Sequence, residues 1–163
     1  MARNTTPKQQ KATGNAAAVC PPLEIDQQLC FALYSTMLGM NKVYRELLKD
    51  IELTYPQYLV MLVLWERDGL TVGEIAERVF LDSPTVTPLL KRLESAGLVS
   101  RDRSPLDERQ VLITLTDAGR ALRKRSTHLP QCIVDASDSD LSELMELRDR
   151  LLVLRERMAR KAG

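Results

Sequence analysis

Histidine and paired cysteines, the usual materials of catalytic and metal centres, are scarce in this chain. One histidine, His128, among 163 residues excludes the H-E-x-x-H motif. The three cysteines stand at 20, 30 and 132, so there is neither a C-x-x-C pair nor a zinc-ribbon spacing. The seven glycines, at 14, 39, 69, 73, 97, 119 and 163, never cluster into G-x-G-x-x-G, a P-loop or G-x-S-x-G. Long apolar runs are missing too. The longest uncharged apolar stretch, Leu53 to Trp65, contains Pro56 and is too short to span a bilayer, so no membrane partner is expected. The N-terminal tail has no apolar h-region, so no signal peptide is expected and a reducing cytoplasmic setting follows. These absences predict a chain with no metal, no cofactor and no enzymatic centre of those kinds.

Net charge is also nearly absent: 23 Lys and Arg stand against 22 Asp and Glu. No global field attracts a nucleic acid or a membrane, so any such site has to be local. What is present is core-forming material. With 44% hydrophobic and 28% charged residues, the length suits one packed domain.

Residues 1–22 are low in complexity, carry Arg3, Lys8 and Lys11 without an acid, and end in Cys20-Pro21-Pro22, which predicts a disordered tail. A long helix is expected over Leu23 to Lys49, with Leu29, Leu33, Met37, Met40, Tyr44, Leu47 and Leu48 as its apolar stripe. Thr54 to Gln57 reads as a capping box with Pro56 in the first turn, opening a helix that runs to Arg67 and stops at Gly69. Thr71 to Glu74 is a second capping box, opening a short helix to Val79. Ser83 is read as an N-cap followed by Pro84 at the first helical position; this helix reaches Ala96 and ends at Gly97. Pro88, in its second turn, removes one backbone hydrogen bond.

The period then changes. Val99 to Arg103 and Arg109 to Leu115 read as two strands joined by a turn-rich loop over 104–108. Thr116-Asp117 caps a further helix toward Thr127, Pro130 breaks it, and a last amphipathic helix spans Asp140 to Arg160. Three helices followed by a hairpin is the order of a winged helix-turn-helix, mainly α with a small β-wing. The 23–163 domain then consists of a winged-helix region over 54–115 and flanking helices over 23–50 and 117–163. The apolar stripes of those flanking helices exceed what so small a core can cover, which predicts a helical homodimer interface.

The reading helix would be 84–96. Ser83, Thr85 and Thr87 place hydroxyls at its N-terminal end, where base edges and phosphates can be bonded; Lys91 and Arg92 add charge for the DNA backbone. Each of these features alone is commoner as a cap or a solvated face than as a DNA contact. Arg101, Arg103 and Arg109 flank the hairpin loop. An arginine there can enter the minor groove, with Arg103 the leading candidate and Asp107 placed to orient Arg109. Two such modules in a dimer imply double-stranded DNA with a pseudo-palindromic site.

A free cysteine on a helix is usually a small buried hydrophobe. Cys30 nevertheless falls near a helix N-terminus, where the dipole favours a thiolate. Tyr34 is within reach on the same chain. Tyr44 lies roughly 21 Å further along the axis, so any contact with Cys30 has to come from another subunit. Cys132 follows Pro130 in the expected break between helices, a mobile place for a second thiol or simply an inert one.

These residues carry a resemblance. Gln28-Leu-Cys-Phe-Ala-Leu-Tyr34, Leu53-Thr-Tyr-Pro-Gln-Tyr-Leu59, Phe80-Leu-Asp-Ser83 with Thr87-Pro-Leu-Leu-Lys-Arg-Leu93, and Asp107-Glu-Arg-Gln110 resemble the MarR family of dimeric winged-helix transcription regulators, and within it the organic-hydroperoxide sensors of the OhrR group. The likeness covers about Leu23 to Met158. It implies that Cys30 is the cysteine oxidised by an organic hydroperoxide, and that Tyr44 and Tyr55 bond its thiolate from the partner subunit. It implies, by position, that Cys132 can resolve the sulfenic acid through an intersubunit disulfide. Release of operator DNA, from a regulator that acts as a repressor, is the implied output. Two other classes stay open at this point: a repressor of the same fold that answers to a small phenolic ligand, and a thiol peroxidase.

Overall fold

The computed structural model describes residues 23–103 and 110–162. The expected tail over 1–22, with Cys20, and the hairpin tip with Asp107 and Arg109 lie outside the described residues. The chain divides into two units, at Met37 and Leu38. The described part of the first holds a short 3-10 turn, Ile25–Gln27, and the opening of helix α1, Leu29–Leu47. The expected continuous helix from 23 to 49 is therefore interrupted: Gln28 is extended, and a second 3-10 turn, Lys49–Ile51, follows α1.

The second unit is built around α2, Tyr55–Glu66. Its sequence is apolar on every side, the mark of a helix packed all round, and Tyr58, Val60, Met61, Val63, Leu64 and Trp65 are all buried. The expected capping box forms: the Thr54 amide donates to Gln57 Oε1 at 2.8 Å. Gly69, at φ 70°, turns the chain into β1, Leu70–Thr71, and α3, Val72–Val79. Thr71 and Glu74 cap α3 reciprocally, at 3.2 and 2.8 Å. Helix α4, Ser83–Ser95, buries Val86, Leu90 and Leu93, one stripe at i, i+4 and i+7, and carries Pro88 inside it.

Strands β2, Val99–Arg103, and β3, Val111–Leu115, form the wing hairpin. The sheet has a third strand that the pattern of two strands did not include. Its order is β1-β3-β2, antiparallel, with Leu70 opposite Ile113. Two residues are too few to show alternation; β1 is defined by its partner. Helices α5, Asp117–Arg125, α6, Leu129–Ser137, and α7, Leu141–Ala162, complete the chain. Pro130 does not simply break a helix. It sits in the first turn of α6, where its missing N–H costs nothing.

Helix α5 starts hard against the wing. The Thr116 hydroxyl donates to the Gly97 carbonyl at 2.6 Å. A Cβ on Gly119 would stand 2.1 Å from the Leu98 carbonyl oxygen, so only glycine fits. Asp68 accepts from the Leu115 amide at 2.8 Å and from Arg120 Nη1 at 2.5 Å, tying the α2–β1 turn to the end of β3 and to α5. Burial raises the Asp68 carboxyl, but the Leu115 amide, Arg120 and the Gly69 amide outweigh it and hold the group below its ordinary range.

In contrast, the described N-terminal unit and α7 bury no residue. Leu29, 59% exposed, and Leu33 and Met37 line one face of α1; Leu141, Leu147 and Met158 stand out from α7. Among the described residues no helix is long and apolar enough to cross a membrane, and no His, Cys, Asp and Glu group could hold a metal.

Candidate functional site

The helix-turn-helix is α3, the turn Phe80–Asp82, and α4. The turn is sharp because Phe80 takes the left-handed conformation, φ 57°, letting the Leu81 amide reach back to Ala76 O at 3.0 Å. The N-cap of α4 is Asp82, not Ser83: its Oδ1 accepts from the Thr85 amide at 3.0 Å. A carboxylate here caps the helix and also complements the positive end of its dipole. The bond from Thr85 also keeps the Asp82 carboxyl below its ordinary range.

Ser83 is thereby released from capping and sits exposed with Thr85 at the N-terminal end of α4. Thr87 is half-buried, and its hydroxyl donates to Ser83 O at 2.8 Å, so only its lone pairs remain for a base or phosphate. Lys91 and Arg92 are exposed and have no ion-pair partner among the described residues. Arg103 is likewise exposed, at the end of β2. Arg101 differs. It is half-buried with Nη1 3.7 Å from Glu94, which makes it a brace between wing and reading helix rather than an arm toward DNA. From α7, the Arg155 guanidinium stands 4.2 Å over the ring of Phe80.

Cys30 is the second residue of α1 and is exposed. Tyr34, four residues on, is exposed as well. Cys132 is half-buried inside α6, its amide bonded to His128 O at 3.2 Å, and so lies on a helix rather than in the mobile break expected for it.

Tyr44 and Tyr55, which the resemblance pairs on one thiolate, stand side by side. Their rings lie 4.3 Å apart between centroids, tilted by 33°. Neither phenol makes a hydrogen bond to a described residue. Burial, with the neighbouring Tyr55 and Tyr58, pushes Tyr44 from 10.0 up to about 12; burial also raises Tyr55 and Tyr58. Both therefore remain O–H donors across the physiological range, with the donor unspent among the described residues. Two residues of this cluster were missed from sequence. Tyr58, 3% exposed, has its ring 6.0 Å from Tyr44, and Trp65 meets Tyr58 edge-on at 6.1 Å. The signal was there, since Tyr55 and Tyr58 are spaced i, i+3 on one helix face.

Comparison with known proteins fits this geometry. The family described as transcriptional regulator SarA/Rot matches residues 42–125. The chain is 50% identical to the HTH-type transcriptional regulator TtmR of Methylorubrum extorquens, over 87% of the chain and 73% of that protein. It is 42% identical to the organic hydroperoxide resistance transcriptional regulator of Bacillus subtilis, over 85% of the chain and 95% of the relative. Among solved structures, reduced AbfR bound to DNA superposes with a TM-score of 0.69 at 35% identity, covering 83% of this chain and 94% of that one.

Proposed function

We propose a function from one premise: the chain belongs to the MarR/SarA family of winged-helix transcriptional regulators, and is therefore a DNA-binding regulator rather than an enzyme. Its input is an organic hydroperoxide, its sensor is Cys30, and its output is release of an operator that it otherwise represses. The observation that carries this reading is the Tyr44–Tyr55 pair, two adjacent phenols whose donors are unused among the described residues. The axial spacing of Tyr44 and Cys30 directs those donors to a partner subunit's thiolate. The uncovered apolar faces of α1 and α7 support the homodimer that this requires.

Sensing proceeds in two steps. The Cys30 thiolate attacks one peroxide oxygen, the O–O bond breaks, and the departing alkoxide takes a proton to leave as an alcohol; sulfur is oxidised to a sulfenic acid and the peroxide is reduced. The Cys132 thiol of the other subunit then displaces water from that sulfur and forms a disulfide. Phenol donors stabilise the thiolate before attack and lose that partner afterwards. Ser83, Thr85, Thr87, Lys91, Arg92 and Arg103 meet the DNA, with Asp107 and Arg109 at the wing tip, and two copies read a pseudo-palindromic duplex. The reducing cytoplasm is the setting in which a free thiol at Cys30 is maintained.

The deciding experiment is a gel-shift titration on the upstream region of the protein's own gene, with and without cumene hydroperoxide, for wild type and Cys30→Ser. Wild type leaves the DNA on oxidation; Cys30→Ser binds equally well and stays. A Cys30→Ser protein that still leaves its operator on treatment overturns the thiol reading.

A further inference from the structure

The single tryptophan has no part in the chemistry above, yet it occupies a distinctive place. Trp65 is buried near the C-terminal end of α2. One edge of the indole packs on Tyr58, 6.1 Å between centroids and 69° between planes. Its Nε1–H donates to the Gly119 carbonyl at 2.9 Å, a buried bond that spans 54 positions of sequence. Gly119 is the residue on which any Cβ would meet the Leu98 carbonyl, in the link between reading helix α4 and wing strand β2. At the other end, Tyr58 packs on Tyr44, which packs on Tyr55.

These contacts form a continuous line: Tyr55, Tyr44, Tyr58, Trp65, Gly119, Leu98. Close-packed interiors respond to displacement by shifting between discrete arrangements rather than by yielding gradually. The line has little slack. Its centre is buried, its indole N–H is bonded, and its far end has no room for a methyl group. We infer that Tyr58 and Trp65 are positioning residues that couple the Tyr44–Tyr55 pair to the joint between reading helix and wing. They touch neither peroxide nor DNA. A change in what the tyrosine pair contacts moves Tyr58, Tyr58 moves the indole, and the indole bond moves the start of α5 against Leu98. The inference rests on the hydroperoxide-sensor reading, because that reading supplies the event at the tyrosine pair.

Contact alone is not coupling, so the test measures coupling: the ratio of DNA affinities before and after stoichiometric cumene hydroperoxide. Tyr58→Leu removes the middle ring and Trp65→Phe removes the indole donor. Both are expected to keep the wild-type affinity when reduced and the wild-type rate of Cys30 sulfenic acid formation. Both should lose roughly tenfold or more of the affinity ratio, within the usual range of couplings. Tyr58→Phe keeps the ring and should keep the full ratio. A second measurement needs no variant. Trp65 is the only tryptophan, so emission excited at the indole band reports this contact alone. In wild type it should shift together with DNA release, and in Cys30→Ser it should stay still. Unchanged ratios in Tyr58→Leu and Trp65→Phe overturn the inference, as does a silent indole in wild type that releases DNA; should either variant not fold, the indole measurement decides. A wild type that ignores hydroperoxide overturns the sensor reading and this inference with it. Release without an indole change overturns this inference alone.

Discussion

A phenol that stays protonated is a donor that does not switch off. Tyr44 titrates near pH 12 in the fold against 10.0 for an exposed phenol. The folded state therefore favours the neutral form. That contribution to stability is fully present below pH 10 and is lost as pH climbs from about 10 toward 12, with Tyr55 and Tyr58 acting in the same direction. Tyrosinate absorbance and far-ultraviolet circular dichroism should thus rise and collapse together in that window, and Tyr44→Phe should move the collapse to higher pH. Unfolding complete before any phenol ionises would contradict this. Gly119→Ala tests the other end of the aromatic line. An added methyl 2.1 Å from a backbone oxygen cannot be relieved by a rotamer, so strand and helix must part. The expected loss is about 3 kcal/mol, at the upper end for overpacking, read from the urea midpoint.

At the scale of elements, punctuation was readable and partnership was not. Thr54, Thr71 and Thr116 announce helix starts because the cap is a local contact within three residues, and all three helices begin there. Asp82 was overlooked because Ser83-Pro84 offers an equally good local pattern; the choice between two adjacent capping side chains depends on the sharp turn at Phe80. Strand β1 and the meeting of Tyr44 with Tyr58 depend on tertiary pairing, which periodicity along one element does not encode. The same division shapes the DNA prediction. Lys91 and Arg92 are exposed on α4 without an ion pair among the described residues, so their charge is available to phosphates. Replacing both with alanine should weaken binding uniformly across sequences. It should also flatten the dependence of log affinity on log salt by roughly 0.9 for each phosphate that is no longer neutralised. An unchanged slope would place the reading face elsewhere. Arg103→Ala should instead cost most at sites with A·T-rich flanks, where the groove is narrow.

At the scale of the whole molecule, two features constrain the proposed dimer. The apolar faces of α1 and α7 lack covering residues among the described residues, so sedimentation at micromolar concentration should show a dimer; a monomer would remove the basis for a site shared between subunits. The second constraint concerns Cys132. It is half-buried in α6, whose first residue, Leu129, is 1% exposed and anchors that end in the core. Disulfide geometry requires Cα atoms within about 7 Å. Where the reduced dimer holds Cys132 and the partner's Cys30 farther apart than that, a thiol on an anchored helix closes the gap only if α6 itself moves. Because α5 is tied to the wing through Thr116, Gly119 and Asp68, such a motion reaches the reading helices only if α6 carries α5 with it. We expect reading helices set to successive major grooves about 34 Å apart to lose register then, so that release is mechanical. Non-reducing electrophoresis after one equivalent of organic hydroperoxide should show a covalent dimer, absent in Cys30→Ser and in Cys132→Ser. A dimer that survives Cys132→Ser but vanishes in Cys20→Ser transfers the resolving role to the tail. Oxidised chains that run as monomers carrying a mixed disulfide show instead that a small thiol resolves Cys30 and that α6 need not move.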